Sequence, residues 1–208
     1  MKGTRPLTIE EIGLVKDSFE GKYAVRNRSL FMIGVSTGGR ISELLALCIG
    51  DVYQNGKPVS QLLFGKSIVK GKENARAVPV NSDGQGAISE LIEWHVQSYG
   101  SIEAGRPLFP SRKSGGGVVA IGRQQAHRIF KAACEKASLN GKLATHSLRK
   151  SYAQRLYGLL SDIFCIKELL GHKSVVTTQA YLGVDYSKVE QASEAMSLVR
   201  HLNTKNEK

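Results

Sequence analysis

Apolar residues recur along this chain in two periods, and the places where the period changes predict its elements. Ile12, Val15 and Phe19 fall at steps of three and four, which puts them on one helical face, and Thr8 with Glu11 makes a capping box at the start of a helix over Thr8–Phe19. Arg26–Val35 predicts a second helix, with Leu30, Phe31, Ile33 and Val35 in the core, ended by Ser36-Thr37-Gly38-Gly39. The two glycines permit a tight turn that delivers Arg40 to the start of a short helix, Ile41–Cys48. From Ser60 to Val80 the texture turns to strand through Leu62, Leu63, Phe64, Ile68 and Val69, a charged turn KGKEN, and Ala77–Val80, a hairpin with basic residues at its tip. Ala87–Tyr99 returns to helical spacing through Ile88, Leu91, Ile92 and Val96, with Trp94 and His95 beside the stripe and His95 expected at a surface or interface.

Ser101–Gly122, with RPLFP and SRKSGGG, reads as a connector, in which Arg112 and Lys113 are solvated or touch phosphate. Helices are predicted over Arg123–Ala137, ended by Asn140-Gly141, over His146–Tyr157, and over Ser161–Leu170, stopped by Gly171. Ser174 is an N-cap candidate for a helix carrying Thr177, Thr178 and Tyr181. Ser187–Leu202 predicts a last amphipathic helix with Val189, Ala192, Met196 and Val199 on one face, and no internal repeat interrupts the series. The fold class implied is α+β, mainly helical, with a small antiparallel β-sheet.

Composition narrows the function. A chain of 208 residues, 41% of them apolar, can bury a full core, and one domain is expected. Lysine and arginine number 29 against 18 acidic residues, and a formal charge of +11 favours a polyanionic partner whose counterions are released on binding. Cys48, Cys134 and Cys165 are odd in number, form no CxxC pair and have apolar neighbours, so they predict buried thiols and neither a disulfide framework nor a zinc site. The apolar run at Leu30–Val35 is too short to span a bilayer and MKGTRPLT lacks a signal-peptide core, which together predict a cytoplasmic protein.

Three motifs carry the chemistry: TGGRISEL (37–44), HSLR (146–149) and LGHKSVVTTQAYL (170–182). Singly each has an ordinary reading: a solvated Arg and Glu after a turn, a His and an Arg sharing a helix face, a half-buried Tyr. Jointly they supply Arg40, His146, Arg149, His172 and Tyr181, with His172 placed 23 positions after Arg149 and Tyr181 nine after His172. Attack of a phenol on a phosphodiester needs guanidinium forks on the nonbridging oxygens, an imidazole nearby and a tyrosine in line.

In these motifs and their order the chain resembles the tyrosine recombinase (phage integrase) family, from about Leu7 to about Tyr186. The resemblance implies that Arg40 and Arg149 hold the scissile phosphate, that His146 takes the phenol proton or bonds a phosphate oxygen, and that His172 supports the same phosphate. Tyr181 becomes the 3′-phosphotyrosine, singled out from Tyr186 by the nine-residue step, and rejoining then needs no cofactor, metal or ATP. Glu43 matches an acidic position that orients Arg149 or His146, and a hairpin lysine, Lys70 in preference to Lys72, protonates the leaving 5′-oxygen. The implied function is site-specific recombination of paired double-stranded DNA sites by a homotetramer that is monomeric when free. Residues 1–186 would be the catalytic domain and 187–208 a C-terminal helix and tail exchanged between protomers. Alternatives are type IB topoisomerase-like cleavage and religation, or a non-catalytic DNA-binding regulator. The family's separate N-terminal clamping domain is not found in the chain, as expected for a catalytic fragment or for one of the small recombinases built from this domain alone.

Overall fold

In the computed structural model, which describes residues 3–65, 75–112, 117–182 and 186–196, the first helix, α1 (Ile9–Asp17), starts as its capping box predicts. Thr8 Oγ1 accepts from the Glu11 N–H at 3.2 Å and the Glu11 carboxylate accepts from the Thr8 N–H at 3.0 Å. The second helix, α2 (Ala24–Thr37), runs past the predicted Arg26–Val35 at both ends, stopping at left-handed Gly38, and it is apolar on two sides. Leu30 and Ile33 face one core cluster and Phe31 and Val35 another, so α2 is the central pillar.

Helix Ile41–Cys48 is corrected to two short pieces, α3 (Ile41–Leu45) and α4 (Ile49–Val52). Cys48 is extended between them, bridging to Pro107, and its N–H is taken by the Asp51 carboxylate at 2.8 Å, which caps a fresh start. Next comes a hairpin in a stretch to which the apolar pattern assigns no element, β1 (Tyr53–Gln54) with β2 (Lys57–Pro58), turned at Asn55-Gly56 with positive φ at both residues. The predicted hairpin pairs β3 (Gln61–Phe64) with β4 (Arg76–Pro79) antiparallel, Leu62 opposite Val78 and Phe64 opposite Arg76. Leu62, Phe64 and Val78 point into the first core cluster.

Helix α5 (Ser82–Tyr99) is capped by Asn81 and packs on α2. His95, expected at a surface, is fully buried: it continues the stripe Ile88, Leu91 and Ile92, with Nε2 hydrogen-bonded to the Leu108 carbonyl at 3.0 Å. Leu108 and Phe109, within the predicted connector, are core residues. Helix α6 (Arg123–Lys136) ends before Asn140-Gly141, because Ser138 takes the left-handed turn and the Leu139 N–H returns to the Cys134 carbonyl at 3.0 Å. Of the three cysteines Cys134 is buried, but Cys48 and Cys165 are only half-buried, which corrects the expectation for those two.

The site is built by the last part of the chain. Helix α7 (Thr145–Leu160) packs against α2 and ends on left-handed Ser161, so α8 (Ile163–Leu170) starts at the cap Asp162, not at Ser161. Helix α9 (Val175–Leu182) follows Ser174, whose Oγ accepts from the Val176 N–H at 3.2 Å. Ile166, Leu170 and Ala153 form a third cluster with Tyr181 and Leu182 against it. The last described helix is α10 (Tyr186–Ala195), and residues 197–208, into which the predicted helix extends, lie outside the described residues. Among the described residues no helix is long and apolar enough to cross a membrane.

Candidate active site

The first guanidinium owes its place to two glycines. Gly38 caps α2 with a φ of 62°, a conformation that costs an ordinary side chain about 1–2 kcal/mol. A Cβ on Gly39 would come within 2.9 Å of both Leu44 and Phe64. Arg40, next in the chain, stands extended before α3, so its backbone N–H and its guanidinium both reach Glu43, at 2.7 and 2.8 Å. Its Nη2 also donates to the Gly171 carbonyl at 3.2 Å.

The second, Arg149, lies on α7 and is 2% exposed. Its Nη1 donates to the Gly38 carbonyl at 2.6 Å, and its Nη2 to the Leu170 carbonyl. Burial, then the charges of Arg40 and Arg76, push its pKa down to about 10.

Arg76 completes the group, and the motif reading passes over it. It sends two donors to the two Glu43 oxygens, at 2.9 and 2.7 Å, and Nε to the Leu169 carbonyl at 2.9 Å. A signal was present: Arg76 shares the phase of Val78 and Val80, the inward phase of its strand, where a charge is out of place unless it is paired. Glu43, expected to orient Arg149 or His146, bonds Arg40 and Arg76 instead. Burial alone would push its carboxyl up, but the bonds from Arg76 and from the Arg40 backbone and side chain outweigh that and hold it at about 2.

Three guanidiniums therefore end on consecutive carbonyls, Leu169, Leu170 and Gly171, at the C-terminus of α8, the negative end of its dipole. Gly171 is left-handed and turns the chain so that His172 follows directly. His172 is 8% exposed, its Nδ1 lies 3.0 Å from Thr178 Oγ1, and its ring meets that of Tyr181 edge-on with centroids 4.9 Å apart. Burial first, then Arg149, Arg40 and Arg76, lower its pKa to about 4, so at neutral pH the ring is an uncharged imidazole. Tyr181 is half-buried, with Lys150 Nζ 5.6 Å from its ring centroid. Lys150 also ties the N-terminal segment in, donating to the Thr4 carbonyl at 2.7 Å.

Arg40, Arg149, His172, Tyr181 and Glu43 thus come together from four helices and the turns between them. His146 is exposed on the first turn of α7, three residues before Arg149. Lys70 and Lys72 lie outside the described residues. Three cations against one carboxylate, with Arg149 and Arg76 shielded from water and Arg40 open to it on one side, form a positive hole suited to an anion with two acceptor oxygens, and a phenol stands beside it.

Residues 7–188 match the phage integrase family. The chain is 34% identical over 191 residues to tyrosine recombinase XerD of Mycobacterium tuberculosis (strain H37Rv), covering 85% of this chain and 56% of that protein. It is 31% identical over 186 residues to tyrosine recombinase XerC of Xylella fastidiosa (strain 9a5c), covering 89% and 58%. Among solved structures, XerH site-specific recombinase bound to palindromic difH substrate, in a post-cleavage complex, superposes with a TM-score of 0.70 at 29% identity, covering 93% of this chain and 53% of that one. The chain spans somewhat more than half the length of these relatives.

Proposed function

We propose, from the premise that the chain belongs to the phage integrase family, that it breaks and rejoins double-stranded DNA through a 3′-phosphotyrosyl bond at Tyr181, as a site-specific recombinase. The observation that carries this reading is the positive hole of Arg40, Arg76 and Arg149 with the His172–Tyr181 ring contact at its edge. In the reaction the Tyr181 oxygen attacks the phosphorus, the bond to the 5′-oxygen breaks, and extra charge develops on the equatorial oxygens. Arg40 and Arg149 bind that charge better than the ground state, and the desolvation of Arg149 makes the gain larger than it would be in water. His146 takes the phenol proton or bonds a phosphate oxygen, and neutral His172 holds a nonbridging oxygen through Nε2 when Thr178 donates to Nδ1. Lys70, with Lys72 as its alternative, gives a proton to the leaving 5′-oxygen. The tyrosyl ester keeps the energy of the broken bond, so the reverse attack rejoins the strand.

The partner is a pair of DNA sites held by a homotetramer. Supporting this, residues 189–196, the later part of α10 and the residue after it, are exposed throughout, with Val189 at 55% and Met196 at 78%, an apolar stripe without cover from its own domain among the described residues. Residues 1–186 then act as the catalytic domain and 187–208 as the exchanged segment.

The test is capture on a randomised pool of nicked duplexes. Wild-type chain should form covalent adducts, Tyr181→Phe none, and Tyr186→Phe a normal yield; adducts that survive Tyr181→Phe would overturn the assignment. Exchange of strands between two marked duplexes carrying the captured sequence identifies a recombinase, whereas relaxation of supercoils without exchange identifies topoisomerase-like chemistry.

A further inference from the structure

We propose that Arg76 is a positioning residue of this site, acting through Glu43 on Arg40 and through α8 on His172; the proposal rests on the reading that Arg40 binds the scissile phosphate. Glu43 is the only acidic side chain among the described residues that pairs with these guanidiniums, and both its oxygens are doubly occupied. Oε1 accepts from Arg40 Nη1 at 2.8 Å and Arg76 Nη1 at 2.9 Å, and Oε2 from the Arg40 N–H and Arg76 Nη2, each at 2.7 Å. A carboxylate bonded to Arg40 alone would orient it but also cancel its charge. With Arg76 on the same carboxylate the trio keeps a net charge of one, and Arg40 retains its pull on an anion.

Arg76 is not placed to meet DNA itself. Its side chain is 11% exposed, its guanidinium lies 4.9 Å from the Phe64 ring centroid, and its donors point inward to Glu43 and Leu169. Its stem also packs on the turn before His172, since a Cβ added to Gly171 would meet Arg76 Cδ at 3.1 Å. One residue on β4 thus sets the charge of the first arginine and the seat of the second histidine. Lysine cannot reproduce this, because a single ammonium does not make two parallel bonds and a third from Nε.

The test uses the full chain and a nicked duplex recovered by covalent capture from the randomised pool, made once with a normal scissile phosphate and once with a methylphosphonate, which lacks one nonbridging charge. Arg76→Ala should slow adduct formation on the phosphate by about 100-fold, the cost of losing one preorganised transition-state donor, here Arg40, which Arg76 holds in place through Glu43. Duplex binding should change far less, and the defect should shrink on the methylphosphonate, as it should for Arg40→Ala. Should Arg76→Ala melt too low to assay, Arg76→Lys, which keeps charge and stem, carries the same test with the same expected pattern. Wild-type rates in the variant, or an equal loss on both duplexes, would overturn the proposal. If the wild-type chain captures no duplex at all, the reading of the site falls and this proposal with it.

Discussion

At the scale of single residues, three titrations at shielded positions decide how the protein responds to acid. His172 sits at about 4 in the folded state against about 6.5 in an unfolded chain, so between those values the unfolded state binds more protons. Its stabilising effect is therefore lost as pH falls from about 6.5 towards 4. His95 is lowered as well, by burial, and adds to the same limb. Glu43, held at about 2 against about 4.5 unfolded, keeps its contribution above 4.5 and loses it as pH falls towards 2. Melting temperatures should consequently drop in two stages. His172→Asn should flatten the upper stage only and Glu43→Gln the lower only; an unchanged upper stage in His172→Asn would contradict the burial assigned to that ring. Residue identity was legible for the motif set because its spacing is set by helices local in sequence. The partner of Glu43 was not, since Arg76 lies 33 positions away and reaches it only through the pairing of β3 with β4.

Among elements, the turn between α2 and α3 and the helix α10 make the sharpest claims. A Cβ on Gly38 would meet the Tyr152 ring at 2.4 Å, in a backbone conformation that already disfavours side chains, and the same residue's carbonyl anchors Arg149. Gly38→Ala should cost at least about 1–2 kcal/mol of stability from the backbone alone. It should also reduce adduct formation at temperatures where the variant is still folded; a variant as stable as wild type would show that the turn has room. Truncation after Tyr186 should leave adduct formation on a nicked duplex largely intact and abolish exchange between two duplexes, and equal loss of both would place α10 in the domain core. Helix positions followed from apolar period, while their ends moved wherever a cap outweighed it, as at Cys48-Asp51 and Ser138. The hairpin at Asn55-Gly56 was not legible in the apolar pattern, because its two-residue strands are too short to register as alternation; its one signal is a turn pair that favours positive φ.

For the whole molecule, the layout places α2 at the centre, the two separate two-stranded hairpins and α5 on one side, α1 and α6 on the other, and α7 to α9 at its C-terminal end, where the arginines converge. Charge patterning favoured a polyanionic partner without placing it, because 29 basic residues distributed along a chain do not reveal which three will meet in space. That convergence becomes visible only when α3, β4 and α7 all end on α8, and it is what gives a basic protein a positive hole suited to an anion. Beside that hole stands Tyr181, proposed as the group that joins to DNA. The most direct measurement digests the captured adduct with nuclease and protease and locates the added nucleotide mass by tandem mass spectrometry. A nucleotide carried on Tyr181 through its 3′-phosphate is the predicted result; the same mass on Tyr186, on a histidine, or joined through a 5′-phosphate would contradict it.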